Sequence, residues 1–388
     1  MSSLAAGEFM PIALRRQQRN IIMLGVFVTS LLVGFLCAVG WGAVGIAPLK
    51  VLAILAHGLG LDIWSREGGE AAAQSSVWAF TRREETVLLA IRLPRACLAA
   101  LVGAALAVSG AAMQGLFRNP LADPGLIGVS TGAALAAAST IVLGGGFVTF
   151  MQQSFGLDLQ AHGASALGAM ILPLAAFLGG LAATFLVYRI ASRGGQTDVA
   201  TMLLAGVALN AISSAGIGLL VFLSDDQQLR DLNFWMLGSL GGVTWAKLLP
   251  VAPFIAGATI ALPLFARHLN ALLLGEREAQ HLGFRIERTK RVIVLLVALA
   301  TGASVALTGV IGFVGLVIPH LVRLSLGPDH KILLPASVFL GASLMLFADL
   351  AARSIALPAE LPIGILTSCV GGPFFLWLLL RSRASGGW

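Results

Sequence analysis

The sequence has 388 residues, of which 57% are hydrophobic and 11% are charged, with a formal net charge of +7. A soluble domain has roughly 25% charged residues, so this composition excludes a chain that is soluble throughout and indicates one that lies largely in lipid. The positive charge predicts no nucleic-acid partner, because its distribution between loops is typical of a membrane protein with a fixed orientation.

Nine hydrophobic blocks follow one another along the chain, and most are close to the roughly 20 apolar residues that a transmembrane helix needs. The first block follows Arg15, Arg16 and Arg19, but its apolar run is about twice the core of a signal peptide, so it is interpreted as a retained span. The blocks show no alternation with a period of two, which favours helices over a membrane β-barrel. The nine blocks are residues 21–40, 96–116, 126–143, 166–187, 199–223, 248–266, 292–321, 332–347 and 361–380.

The block at residues 292–321 is long enough for one long helix or for two short helices with a tight turn. With two helices the chain has ten spans, and 16 Lys and Arg residues lie in cytoplasmic segments against 9 outside; with one helix the split is 13 against 12. The positive-inside rule favours ten spans with both termini in the cytoplasm. The predicted organisation is a cytoplasmic tail at 1–20, a transmembrane domain at 21–380 with a periplasmic segment at 42–92 and a cytoplasmic segment at 267–291, and a cytoplasmic tail at 381–388.

Two of the predicted spans share a short sequence pattern. Residues 102–110 read VGAALAVSG and residues 301–309 read TGASVALTG, with four identities. The two stretches lie five passes apart, so a repeat would be inverted, as in many transporters. Small residues also recur wherever membrane helices pack closely, and this explanation stays open beside the repeat.

The predicted spans lack the groups that drive pumps and enzymes. Charged side chains are almost absent from them, and the main exception, Asp349, has Arg353 one helical turn further on, which predicts a structural pair at the outer surface. No G-x-x-x-x-G-K-[ST] loop is present to bind ATP. No catalytic arrangement and no metal site is predicted from the histidines. The chain is therefore predicted to be no enzyme, and any energy for transport would come from another subunit.

Two loops between the blocks carry distinctive patterns. Residues 117–125 read FRNPLADPG, in which Asp123 can cap the next helix and Pro124 can occupy its first turn. Residues 269–290 alternate apolar and charged residues at helical spacing, which predicts short amphipathic helices outside the bilayer. Such helices bind a membrane surface or a protein partner, and Glu276 and Glu278 favour the protein because anionic lipid would repel them.

Several stretches together resemble the FecCD family of permeases, over residues 92–380 and in the order of that family. They read RLPRACLAALVGAALAVSGAAMQGLFRNPLADPGLIGVSTGAALA, LLLGEREAQHLG, GFVGLVIPHLVR, GPDHK and ELPIGILTSCVGGPFFLWLL. The resemblance implies an all-α polytopic membrane protein, a type II ABC importer permease with ten transmembrane helices in an inverted repeat. It also implies a homodimer in the bacterial inner membrane, two ATPase subunits that hold the ATP, a periplasmic binding protein, and substrate passage along the dimer axis. No permanently bound cofactor is expected.

The resemblance also implies roles for particular residues. Arg92, Arg95 and Arg353 match positions that dock the binding protein; the alternative is that they anchor a span boundary to lipid head groups. The acidic Asp198 departs from the pattern and puts the second of the two matched gate loops in doubt. The residues that match the cytoplasmic gate are Asn119, Leu121, Gln196 and Thr197. The residues that match the helices coupling to the ATPase are Leu274, Gly275, Glu276, Glu278, Ala279, Leu282 and Gly283.

The same resemblance suggests the cargo. The stretches FRNPLADPGLIG and LRDLNFWMLGSLGG resemble the heme branch of the family more than the cobalamin branch, so heme is the expected transported substrate. A ferric siderophore is the second expectation, with cobalamin also open. A channel without an ATPase, or a receptor, is the alternative of a different class.

Overall fold

The computed structural model describes residues 12–42, 45–58, 60, 78–155, 166–356 and 359–384. Over these residues the chain is helical apart from one short hairpin and the connecting turns. The elements in chain order are α1 (Ile12–Gly40), α2 (Pro48–Gly58), α3 (Arg82–Thr86), a π-helical turn (Val87–Arg92), α4 (Leu93–Phe117), a 3-10 turn (Pro124–Ile127), α5 (Val129–Phe155), α6 (Ala166–Ala191), β1 (Ser192–Arg193), β2 (Gln196–Thr197), α7 (Val199–Leu223), α8 (Asp226–Leu237), α9 (Trp245–Ala261), a second 3-10 turn (Leu262–Phe265), α10 (Ala266–Leu272), α11 (Glu276–His281), α12 (Ile286–Thr308), α13 (Val314–Leu326), α14 (His330–Ile355) and α15 (Ile363–Ala384).

Long apolar helices dominate this architecture. Among the described residues, eight helical stretches are long and apolar enough to cross a membrane, and α2, α13 and α15 contribute shorter apolar helices. The all-α polytopic fold is therefore confirmed. The number of ten spans is not confirmed, since the 13 residues of α13 extend only about 20 Å against a hydrocarbon core of roughly 30 Å.

The block at 292–321 contains two helices, as predicted. The chain breaks between Thr308, where α12 ends, and Val314, where α13 begins. Gly309 adopts a φ of +72°, and a Cβ atom placed there would clash with the carbonyl oxygen of Trp235. A residue with a side chain would therefore be strained at the break.

Several helices extend beyond the predicted blocks. The first helix already begins at Ile12, so residues 12–20 of the predicted tail continue the span, and residues 82–92 of the predicted periplasmic segment run directly into α4. Hydropathy hides the second extension because residues 82–85 read RREE. Residues 1–11, 43–44, 59, 61–77 and 385–388 of the predicted tails and periplasmic segment lie outside the described residues.

The core of the bundle forms around α4, which buries 20 of its 25 residues. Its small side chains let α14 approach closely: a Cβ atom on Gly103 would clash with the carbonyl oxygen of Gly341. The helices α1 and α7, by contrast, are only 17% buried over their most apolar windows. The two similar stretches, 102–110 and 301–309, lie in closely packed parts of the bundle. The inverted repeat therefore stays a prediction, with close packing of small residues as the alternative explanation of their similarity.

The antiparallel pairing of α4 and α14 defines two ends of the bundle. The start of α4, the end of α14 and the segment before α15 meet at one end, through Arg95, Asp349 and Glu360. The hairpin, α11 and the start of α12 meet at the other, through Thr197 and Lys290. We call these the predicted periplasmic end and the predicted cytoplasmic end, after the orientation expected from the loop charges.

Candidate functional site

Arg95 connects three elements at the predicted periplasmic end. Its Nε donates to Oδ1 of Asp349 at 2.9 Å, and its Nη1 donates to both carboxylate oxygens of Glu360 at 3.0 and 2.9 Å. The side chain of Asp349 is 2% exposed, whereas that of Glu360 is 49% exposed. The guanidinium therefore joins a buried carboxylate to one that faces the surface.

The other two predicted docking arginines bind the end of α1. The Nη1 of Arg92 donates to the carbonyl oxygens of Val39 and Gly40, at 3.1 and 2.9 Å. Arg353 donates to the carbonyl oxygen of Ala38. The last carbonyls of a helix have no partner within the helix, so these arginines satisfy them. Both side chains are largely buried, whereas Arg95 bonds directly to the half-exposed Glu360.

The predicted pair of Asp349 and Arg353 is present, and a stronger one accompanies it. Arg353 Nε lies 3.5 Å from Oδ2 of Asp349, while Arg95 Nη2 lies 2.8 Å from Oδ1. The sequence indicated the first pair because four residues separate its members. Arg95 lies 254 residues from Asp349, and no local spacing predicts that contact.

The first predicted gate loop is a rigid turn. Arg118 ends α4 with a left-handed φ of 49°, and the side chain of Asn119 accepts a hydrogen bond from the backbone N–H of Leu121 at 2.9 Å. Asp123 then accepts from the N–H of Gly125 at 2.7 Å. It caps the 3-10 turn that starts at Pro124, and α5 begins only after this turn.

The second predicted gate loop is the β1–β2 hairpin. Gln196 is exposed at its surface, whereas Thr197 is 4% exposed and pairs with Ser192 across the hairpin. Asp198, the acidic departure, is the N-cap of α7: its Oδ2 accepts from the N–H of Thr201 at 2.8 Å. The hydrogen bonds from Thr201 lower the pKa of the Asp198 carboxyl below its usual range.

The predicted coupling residues form α11 and its two flanking turns. Gly275 precedes the helix with a φ of +121° and Gly283 follows it with a φ of +87°. Ala279 faces inward, while Leu274 and Leu282 are 65% and 62% exposed. The two exposed leucines flank α11, one on each side. Short helices are thus present in this segment, and their position outside the bilayer stays a prediction.

Lys290 joins the coupling helix to the hairpin, and the sequence did not single it out. Its Nζ donates to the carbonyl oxygen of Thr197 at 2.8 Å, to Oε2 of Glu276 at 2.7 Å and to Oε1 of Glu287 at 3.1 Å. The other carboxylate oxygen of Glu287 accepts from the N–H of Thr197 at 2.8 Å. Lys290 is the last residue of the segment 269–290 and one of three basic residues at 288–291, and no role of its own was predicted for it.

A helical pattern in the sequence does predict the burial of Lys290. It lies four residues after Ile286 and three before Ile293, on the stripe that α12 buries. Thr197 and Glu276, predicted as gate and coupling residues, thus meet at one side chain. Within the described residues, no hydrogen bond joins Asn119 or Leu121 to the hairpin.

A polar cleft separates the hairpin from α11. It has a volume of about 680 Å³ and is lined by polar and charged groups of both elements, including Arg193, Gln196, Arg277 and Gln280. Among the described residues, no group of three or more His, Cys, Asp or Glu side chains is placed to hold a metal ion.

Comparison with known proteins gives consistent matches over most of the chain. The model of the FecCD transport family matches residues 30–381. The hemin transport system permease protein HmuU of Yersinia pestis is 48% identical over 297 residues, covering 76% of this chain and 84% of that protein. The vitamin B12 import system permease protein BtuC of Klebsiella pneumoniae is 43% identical over 302 residues, covering 76% and 83%. A metal-chelate type ABC transporter solved in an inward-facing conformation is 29% identical, with a TM-score of 0.73 over 93% of this chain and 99% of that chain.

Proposed function

This chain belongs to the FecCD transport family, and from that premise we propose that it carries heme from a periplasmic binding protein to the cytoplasm. The chain is a multi-pass inner-membrane permease of an ABC importer, a class that works with an ATPase and a binding protein. The proposal adds the cargo, the homodimer and the roles of the site residues. It includes no chemistry by the chain itself, and ATP would be hydrolysed by the partner subunits.

One observation carries the choice of heme: the hemin permease is more similar to this chain than the vitamin B12 permeases that also match it, at 48% against 41–43% identity. The spans agree with an apolar, poorly binding path. Between residues 96 and 117, 199 and 223, and 332 and 348 the sequence has no Asp, Glu, Lys or Arg. A path without strong ligands releases its cargo as easily as it admits it.

The cargo is tested by reconstituting the chain in liposomes with its ATPase and binding protein. We expect ATP hydrolysis and uptake to rise when the binding protein is loaded with hemin, and to stay at the basal rate with a ferric siderophore or cobalamin. Stimulation by cobalamin or the siderophore alone would replace heme by that cargo. Uptake without the ATPase would favour the channel alternative.

The homodimer is supported by the exposure of α7. This helix buries few of its residues, and Ser214, a polar residue within its span, is exposed together with Gly218. A polar side chain in hydrocarbon is unfavourable, so a second subunit or a water-filled path would accommodate it better than lipid. We expect Ser214→Cys, in a chain without Cys37, Cys97 and Cys369, to form a cross-linked dimer in membranes. Val26→Cys on the exposed face of α1 is the matched control, and equal cross-linking of both would argue against α7 as the interface.

Docking of the binding protein is proposed to involve Arg95 together with Glu360. An acidic group on the binding protein would compete with the half-exposed Glu360 for the guanidinium, while Asp349 keeps the arginine in place. Glu360→Gln should therefore strengthen docking, measured as the affinity of the binding protein for the permease in nanodiscs. Weaker docking would mean that Glu360 itself contacts the partner.

A further inference from the structure

The ammonium group of Lys290 is fully bonded in a buried position. The side chain is 2% exposed, and each of its three hydrogens has an acceptor within 3.1 Å. Burying an ammonium is unfavourable unless its partners are well placed. A group with all donors engaged therefore defines the relative positions of the elements that supply the acceptors.

Those acceptors come from three separate elements. Glu276 is the first residue of α11, Glu287 lies in the first turn of α12, and Thr197 ends β2. We propose that Lys290 is a positioning residue that ties α11 to the β1–β2 hairpin, so that a displacement of α11 moves the hairpin with it. The proposal deepens the proposed function, because it rests on α11 as the coupling helix and the hairpin as part of the gate.

The hairpin has a minimal ladder of its own, so its position depends on bonds to other elements, which include this tie and a hydrogen bond from Thr197 Oγ1 to the hydroxyl of Tyr188 in α6 at 3.1 Å. Each strand has two residues, and the turn between them consists of Gly194 and Gly195, both with positive φ. The backbone N–H and carbonyl of Thr197 are both held from outside, by Glu287 and Lys290. Thr197 is followed directly by Asp198, which caps α7. Movement at Thr197 is therefore passed to the start of a 25-residue span.

The coupling helix depends on the same tie. Ala279 is the one residue of α11 that is buried, so few apolar contacts hold this helix to the rest of the chain. The ion pair from Glu276 to Lys290, at 2.7 Å, supplies a direct connection from α11 to a transmembrane helix. Without it, α11 and the hairpin face each other across the polar cleft.

The test measures the distance between the two elements directly. Spin labels are attached at Arg193→Cys in the hairpin and Arg277→Cys in α11, both exposed, in the full chain without its three native cysteines. Dipolar EPR in nanodiscs then compares the parent with Lys290→Met and with Glu276→Ala. The second variant removes only the bond from Lys290 to α11. Lys331→Met is the matched control, since Lys331 is an exposed lysine at the same end.

We expect a narrow distance distribution in the parent and in Lys331→Met, and loss of the narrow peak in both test variants. In the reconstituted transporter with its ATPase and a hemin-loaded binding protein, uptake per ATP hydrolysed should fall about tenfold, within the range of typical coupling between sites. A residue that only stabilises the fold would lower both activities and leave their ratio unchanged.

A narrow peak that survives in both variants, or that is lost equally in Lys331→Met, would overturn the proposal. If Lys290→Met does not fold, Glu276→Ala decides alone, because its side chain is partly exposed and its removal leaves the bonds of Lys290 to Glu287 and Thr197. The EPR measurement needs no cargo and no ATPase. Failure of heme uptake would therefore overturn the proposed function, and the EPR distances would still show whether Lys290 ties α11 to the hairpin.

Discussion

At each end of the bundle, a cation among the described residues lies between two carboxylates, but the two cations join different kinds of elements. Arg95 lies between Asp349 and Glu360 and connects the transmembrane helices α4 and α14. Lys290 lies between Glu276 and Glu287 and connects a transmembrane helix to the short α11 and, through Thr197, to the hairpin.

The surroundings give these similar ion pairs different consequences. At the predicted periplasmic end, α4 and α14 also pack closely along their small residues, so the ionic contacts add to an interface that is already rigid. At the predicted cytoplasmic end, Ala279 is the one buried residue of α11, and the ion pair from Glu276 to Lys290 joins this helix directly to α12. A buried charge pair thus joins two closely packed helices in one place and connects a sparsely packed helix to the bundle in the other.

The largest effect is expected from Arg95→Ala. A large loss in the free energy of unfolding would support the view that the ion pair at the predicted periplasmic end stabilises the fold. It leaves the carboxylate of Asp349 buried beside a weaker partner, and breaking a buried pair from one side costs about 3–5 kcal/mol. The free energy of unfolding in mixed detergent micelles measures this loss. Glu360→Ala is the control, because a half-exposed pair contributes no more than about 1 kcal/mol. Equal losses would mean that Asp349 is not the main partner.

A smaller effect is expected from Arg92→Met, which tests the hydrogen bonds of Arg92 to the end of α1. The carbonyl oxygens of Val39 and Gly40 would lose their donor, and an unsatisfied buried group costs about 1–3 kcal/mol. Faster amide hydrogen exchange in the last turn of α1 would report this change. Arg82→Met, at an exposed arginine ten residues earlier, should leave that exchange unchanged. Unchanged exchange in Arg92→Met as well would remove the capping role.

The smallest effect concerns Asp198 at the opposite end. Because its folded pKa is lowered by Thr201, its contribution to α7 is present above the ordinary pKa of about 3.9 and is lost as the pH falls through the lower folded value. We expect the protection of the Thr201 amide against hydrogen exchange to decrease over that acidic range. Asp198→Asn keeps a side-chain acceptor and should remove the pH dependence, and a dependence that persists in it would assign the effect to another group.

The sequence by itself predicted much of this molecule where the signal is local. Continuous apolar blocks predicted the long helices, the distribution of Lys and Arg between loops favoured the break that separates α12 from α13, and the alternation at 269–290 predicted short helices there. Asp123 with Pro124 predicted a capped turn, and the ordered motifs predicted the family. Each of these follows from periodicity, turn chemistry or neighbouring residues, which the sequence displays directly.

Tertiary structure alone decided which charged side chains meet. Arg95 pairs with residues 254 and 265 positions away, and Lys290 bonds to Thr197, 93 positions away. The sequence displays a basic run at residues 288–291 without showing that one member is buried among carboxylates. The physical reason is that an ion pair depends on distance and burial in space. Helical spacing can indicate which side chains are buried, but the distance between two partners is produced only when helices far apart in sequence pack together.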